Sequence, residues 1–164
     1  MVDLEQLAAH LQSLDASGRA EFFNAQLRGH DAALGLQFAS IEDARVVATL
    51  VITEAHTQPY GLVHGGVHAA LVESVCSVGA ALSVMPDGNN AVGAENTTRF
   101  LRPARPGTTL TATATPGKSS PDGRRLTWEA VITDDTGERC AVGSVTVAVL
   151  PPSKKMAGSA LGLD

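Results

Sequence analysis

The chain has 164 residues, 44% hydrophobic and 18% charged, a length that suits one domain burying roughly two-thirds of its unfolded surface without disulfides or metal. Its net charge of -5 argues against nonspecific nucleic-acid binding, and its two cysteines are too few for a secreted disulfide framework or a thiolate metal site. The N-terminal run MVDLEQLAAHLQSLDASGRAEFF lacks a basic start followed by an apolar stretch, and no apolar run reads as a membrane span, so a cytoplasmic protein with Cys76 and Cys140 as buried thiols is expected.

Residues 3–29 carry helical spacing, with Leu4, Leu7, Ala8 and Leu11 on one stripe, a break at Ser17-Gly18, then Phe22, Phe23 and Leu27. Two short helices covering the main fold are expected there, with His10 and His30 at the surface. From Leu34 the pattern turns to strands. LGLQFASIE and ARVVATLVIT, separated by Glu42-Asp43, read as a hairpin. The run HTQPYGLVHGGVHAALVESVCSVGAAL, residues 56–82, opens with turn residues and continues as a helix from about Gly65 until Pro86-Asp87-Gly88. After it come NAVGAENTTRFL, TTLTATATPG, RRLTWEAVITDD and CAVGSVTVAVL, each β-branched or alternating and bounded by Gly, Pro or Asp. Short turns should join neighbouring antiparallel strands, with only the helix-containing link crossing over, which gives a two-layer α+β domain. The segments divide as 1–33, an N-terminal helical extension; 34–150, the main domain; and 151–164, an exposed tail.

The chemistry concentrates in the central helix. A glycine-flanked helix start presents unpaired backbone N–H groups at the positive end of the helix dipole, a setting that favours a substrate oxygen gaining negative charge. Glu73 lies inside the same helix. Val67, Leu71, Val75, Val78 and Leu82 should face the sheet, while Ala70 and Ser77 flank the acid at helical spacing, leaving room for a carboxylate that Ser77 can hydrogen-bond. Gly65 and Glu73 are eight residues apart, roughly 12 Å along a helix. One carbonyl cannot touch both, so a shared reaction requires the glycine of one subunit and the acid of another, and hence an oligomer. His64 and His68, at i and i+4, share a helix face and leave a metal site as an alternative, although no third ligand is evident. Arg99, Arg102, Arg105, Lys118, Arg124 and Arg125 meet only Asp122 within their interval, which suits either a local anion site or a set of solvated charges.

The run Gln58-Pro59-Tyr60-Gly61-Leu62-Val63-His64-Gly65-Gly66, continuing to Glu73 and Ser77 and followed by NTTRFLRP at residues 96–103, resembles the hot-dog-fold acyl-CoA thioesterases. The likeness is to the 4-hydroxybenzoyl-CoA thioesterase branch with a catalytic Glu, and it covers about residues 34–150. It implies a curved antiparallel sheet wrapped around a long central helix, dimers that pair into homotetramers, and hydrolysis of an acyl-CoA thioester to the acid and free CoA. An aromatic-degradation substrate, 4-hydroxybenzoyl-CoA, is expected, with phenylacetyl-CoA, medium-chain acyl-CoA or a non-catalytic acyl-CoA-binding module as alternatives. By resemblance, Gly65 offers its N–H to the thioester oxygen, Glu73 attacks the carbonyl or activates water, Gln58 and Ser77 position water or substrate, and His64 shapes the site. Arg102 resembles a position near the nucleotide, Ser119 and Ser120 with Lys118 or Arg124 could complete a phosphate site, and Asn96 would line the acyl slot. Coenzyme A is then part of the substrate and no separate cofactor, metal, nucleic acid or membrane is expected. A hot-dog dehydratase would need a different His-Asp arrangement.

Overall fold

The structure, a computed structural model, describes residues 4–152; most of the expected tail lies outside them. Three N-terminal helices precede the sheet: α1 (Leu4–Ser13), α2 (Ala16–Ala25) and α3 (Gly29–Leu34). The break between the first two falls at Leu14-Asp15 rather than at Ser17-Gly18. Asp15 caps α2 by accepting the Gly18 N–H at 2.7 Å, so the serine and glycine sit in its first turn. The third helix was not expected. Its six residues bury no side chain and so leave no apolar stripe to read, and Gly35, at φ 76°, ends it in the left-handed region. The strand expected from Leu34 therefore begins three residues later.

Strands β1 (Gln37–Glu42) and β2 (Arg45–Val51) form the expected hairpin, and the central helix α4 runs Gly65–Val84. The remaining strands are β3 (Asn90–Phe100), β4 (Thr109–Pro116), β5 (Arg125–Thr133) and β6 (Arg139–Leu150). All pair antiparallel in the order β1-β2-β4-β5-β6-β3. The expectation that only the helix-containing link crosses the sheet fails here. Strand β3 lies at the far edge beside β6, so the link 101–108 must also cross, returning the chain to β4. Local strand patterns carry no information on which partner a strand takes.

Helix α4 packs against β2, β3, β4, β5 and β6, so the sheet wraps around it. Val67, Leu71 and Val75 are buried as the periodicity requires, while Val78 and Leu82 are partly buried against the same core. Val72, Cys76 and Ala80 are buried as well, because strands contact the helix over more than one face. By length and composition the segment Gly65–Asp87, with mean hydropathy 1.6, is long and apolar enough to cross a membrane, contrary to the sequence-based expectation. Here its apolar faces meet the sheet.

The two edges of the sheet differ. At the β1 edge, the Asn24 side chain of α2 donates from Nδ2 to the Phe38 carbonyl at 2.9 Å and accepts the Phe38 N–H at 2.8 Å, replacing a neighbouring strand. The Phe23 ring meets Phe38 edge-on at 5.8 Å. At the β3 edge no strand is paired among the described residues, and Val92, Phe100 and Leu101 are exposed there.

Candidate active site

The loop 57–63 leads into α4, closed by the Thr57–Val63 bridge and by a Gly61 N–H bond to the Gln58 carbonyl at 2.9 Å. Gly61 takes φ 72°, where glycine is favoured. Val63 N–H donates to the Ala104 carbonyl at 3.0 Å, tying this loop to the link after β3. Gln58 is half-buried in the turn ahead of the helix. Beneath it, buried His56 accepts the Thr53 N–H at Nδ1 and therefore donates from Nε2 to the Leu34 carbonyl at 3.0 Å. Its own carbonyl accepts the His64 N–H at 2.9 Å.

His64 caps α4: its Nδ1 accepts the Gly66 N–H at 2.9 Å. Among the described residues nothing accepts the Gly65 N–H, which leaves that donor directed out of the helix start. The glycine pair answers to crowding rather than to unusual dihedrals. A Cβ on Gly65 would lie 2.8 Å from the Phe100 ring, and one on Gly66 would lie 2.9 Å from His64 Nδ1.

Glu73 is half-buried on the helix face turned toward β3. Ser77 donates to its Oε1 at 3.0 Å, as the i, i+4 spacing predicts. Asn96 donates to its Oε2 at 2.8 Å and to the Ala69 carbonyl at 3.1 Å. Asn96, expected to line an acyl slot, thus touches the acid itself. The Gly65 end of α4 adjoins Phe100 and its Glu73 level adjoins Gly93 and Asn96, so helix and edge strand run antiparallel side by side. Two clefts of about 250 and 320 Å³ in this chain include neither Gly65 nor Glu73.

His68 is 3% exposed, its Nδ1 has no partner among the described residues, and burial pushes its imidazole below the ordinary value. Its ring lies 6.0 Å from that of Phe100. With His64 committed to the cap, no group of three His, Cys, Asp or Glu side chains among the described residues could hold a metal ion. Cys76 and Cys140 are free and buried, and burial raises the Cys76 thiol to about 12.

The basic interval is divided. Arg102 pairs with Glu138 at 2.9 Å, both side chains about half exposed, at 55% and 56%. In the loop 117–124, the Ser120 hydroxyl donates to Asp122 at 2.6 Å and accepts the Arg125 N–H at 3.0 Å, while Ser119 is exposed. The Ser120 hydroxyl and the Arg124 N–H hold the Asp122 carboxyl below the usual range. Arg102 adjoins the start of β6, through its N–H to the Cys140 carbonyl, whereas the serine loop adjoins the start of β5. The length of β5, roughly 25 Å at 3.4 Å per residue, separates them. One chain cannot bring Arg102 and Ser119 or Ser120 to the same phosphate.

Sequence reasoning missed Phe100 and Glu138 as neighbours of the site residues, and read His68 only as a partner of His64 in a possible metal pair. Phe100 carried a signal, a large aromatic in the run after the helix, but its position over Gly65 depends on the crossing of the sheet.

Comparison with known proteins agrees with this fold. Residues 60–141 match the family described as the thioesterase superfamily. A 1,4-dihydroxy-2-naphthoyl-CoA hydrolase of Listeria monocytogenes is 36% identical over 119 residues, covering 71% of this chain and 91% of the relative. The crystal structure of a Haemophilus influenzae thioesterase superposes with a TM-score of 0.74 at 27% identity, over 82% of this chain and 92% of that one. A thioesterase of Staphylococcus aureus superposes at 0.67 and 27% identity, over 74% of this chain and 98% of that one. It has been solved with the glutamine at its position 32 changed to alanine and, separately, with the glutamate at its position 47 changed, fifteen residues on. With an antiparallel sheet wrapped around one long helix, and a helix start and an acid set as described, this chain belongs to the thioesterase superfamily as a hot-dog-fold thioester hydrolase.

Proposed function

We propose that the protein hydrolyses an acyl-CoA thioester to the carboxylic acid and free CoA, with Glu73 as nucleophile or general base and the Gly65 N–H as oxyanion donor across a dimer interface. The observation that carries this reading is the Glu73 carboxylate itself: both oxygens are held by neutral donors, Ser77 and Asn96, and among the described residues no basic side chain pairs with it. A fixed carboxylate and a directed N–H suffice for a thioester, which is already activated and has a good leaving group in thiolate. In the reaction the carbonyl carbon gains an oxygen from water, directly or after attack by Glu73, the carbon–sulfur bond breaks, and the thiolate takes up a proton. No cofactor beyond the CoA of the substrate enters. Gln58, beside the helix start, is the proposed positioning group there. The pair Gln58 and Glu73 has the fifteen-residue spacing of the two positions altered in the Staphylococcus aureus enzyme, which supports the pairing.

The trans site is supported by the asymmetry of the sheet edges. Antiparallel pairing of β3 with a second copy, centred near Thr97, would set Phe100, beside Gly65, level with the partner's Glu73. Such pairing would also cover Val92, Phe100 and Leu101. A dimer of dimers in the cytoplasm is the assembly we propose. The CoA phosphates would then draw on Arg102 of one protomer and the Ser119-Ser120 loop of another, with Arg102 exchanging Glu138 for phosphate. Among acyl groups we favour 4-hydroxybenzoyl, as in aromatic degradation. The 36% identity to a naphthoyl-CoA hydrolase brings larger aryl groups into the same test.

That test is a panel of 4-hydroxybenzoyl-, phenylacetyl-, 1,4-dihydroxy-2-naphthoyl- and medium-chain acyl-CoA, read by detection of free thiol. Aryl-CoA esters should give the highest kcat/KM, and Glu73→Gln should lower kcat by about 10²–10⁴ on each. Unchanged kcat in that variant would remove Glu73 from the mechanism.

A further inference from the structure

Strand β3 contains an irregularity that bears on Glu73. Gly93 pairs with Val147, but Glu95 pairs with Thr146 and Asn96 with Val145, so Ala94 is an extra residue in the ladder. In an unbroken strand residues three apart face opposite sides; one inserted residue restores them to the same side. Val147 and Val145 are both buried, which identifies that side as the one beneath α4. Gly93 and Asn96 therefore both meet the helix at the level of Glu73. Gly93 makes room: a Cβ there would lie 3.1 Å from Glu73 Oε1. Asn96 makes the bond, at 2.8 Å to Oε2.

The orientation of the Asn96 amide is determined by its neighbours. Thr98, two residues on and on the same side, donates its hydroxyl to Asn96 Oδ1 at 2.9 Å. The two hydrogens on Nδ2 are then directed at the Glu73 carboxylate and the Ala69 carbonyl. A flipped amide would set its oxygen against two acceptors, the Glu73 carboxylate and the Ala69 carbonyl, whereas the Thr98 hydroxyl can donate or accept and so follows the orientation those two acceptors set. Hydroxyl, amide and carboxylate thus form a directed chain that ends on the acid.

We propose, on the footing that Glu73 is the reacting carboxylate, that Asn96 is a positioning residue for it. The Ala94 bulge brings Asn96 to the helix, the Thr98 hydroxyl anchors its amide oxygen, and it holds Glu73 in the rotamer that points its carboxylate along the β3 edge, where the second half of the site arrives. This role differs from lining the acyl slot, which would make Asn96 a contact of the substrate.

The two roles separate in steady-state kinetics on whichever acyl-CoA the wild type turns over best. Asn96→Ala should lower kcat about tenfold, with KM within about twofold of wild type. Asn96→Asp, which keeps the shape but faces a carboxylate with an acceptor, should lower kcat at least as far. Thr98→Val should lower kcat about threefold, and the double variant Asn96→Ala, Thr98→Val should match Asn96→Ala alone, because Thr98 acts only through Asn96. Should Asn96→Ala fail to fold, Thr98→Val reads the same chain with its side-chain volume kept, and unchanged kcat there overturns the proposal. An increase in KM without loss of kcat, or additive losses in the double variant, also overturns it. Glu73→Gln is assayed alongside. If it retains wild-type kcat, the assignment of Glu73 falls and the positioning role with it. If Glu73→Gln is inactive while Asn96→Ala keeps wild-type kcat, the positioning role alone is wrong.

Discussion

Gly65 and Gly66 are neighbours in sequence, but a Cβ on each would meet a different side chain, the Phe100 ring from β3 for the first and the His64 cap for the second. His68, one turn further on, illustrates how position within the helix decides chemistry. His64, at the helix start, is exposed and spends its Nδ1 on the cap, whereas His68 is buried, which favours its neutral form. The consequence for stability has a definite sign. Burial lowers the folded-state value of His68 below its ordinary 6.5, so as pH falls past 6.5 the unfolded chain takes up the proton first and folding stability declines. The decline continues until pH reaches the lowered folded value. His68→Gln, which does not titrate, should show a flatter dependence of Tm on pH below 6.5 than the wild type. Parallel curves for the two proteins would mean that His68 does not carry that component.

At the scale of elements, the N-terminal helices close one side of the sheet and leave the other open. Asn24 of α2 supplies a donor and an acceptor to Phe38 and so stands in for a missing strand at the β1 edge. Ser74 of α4 contributes a second tether through its hydroxyl, 2.7 Å from Asp31 of α3. Asn24→Ala should lower unfolding stability by roughly 1–3 kcal/mol, since it strands the part-buried N–H and carbonyl of Phe38. Urea unfolding measures this, and an unchanged midpoint would show that α2 does not protect the edge. Arg102 and Glu138 form a contact of another kind. An exposed pair of this sort is worth about 0–1 kcal/mol, weak enough for a phosphate to displace.

For the whole molecule, the proposed division of the site between protomers has a quantitative consequence. A Glu73→Gln protein keeps its Gly65 donor, and a Gly65→Val protein, whose branched side chain would crowd the Phe100 ring and block the approach to its own N–H, keeps its acid. Each alone should be inactive. Mixed under conditions that exchange subunits, half of the dimers are mixed and carry one intact site of two, so activity should recover to about one quarter of wild type. Recovery to none would place Gly65 and Glu73 in the same protomer's site or remove one of them from catalysis.

Much of this was legible in the residues themselves. The spacing of Gly65, Glu73 and Ser77 along one helix, the glycine pair at its start, and the strand character of the four later segments follow from local periodicity and turn chemistry, which depend only on neighbours in the chain. Helix α3 escaped because two turns or fewer carry no stripe. What only the tertiary structure decided depends on contacts between distant residues: that β3 crosses to the far edge, that Phe100 covers Gly65, that Glu138 takes Arg102, and that Arg102 and the serine loop lie at opposite ends of β5. The contact of Asn96 with Glu73 belongs with these. Its approach to Glu73 needs one extra residue in β3, and a bulge is set by pairing with β6, which no period in the sequence of β3 records.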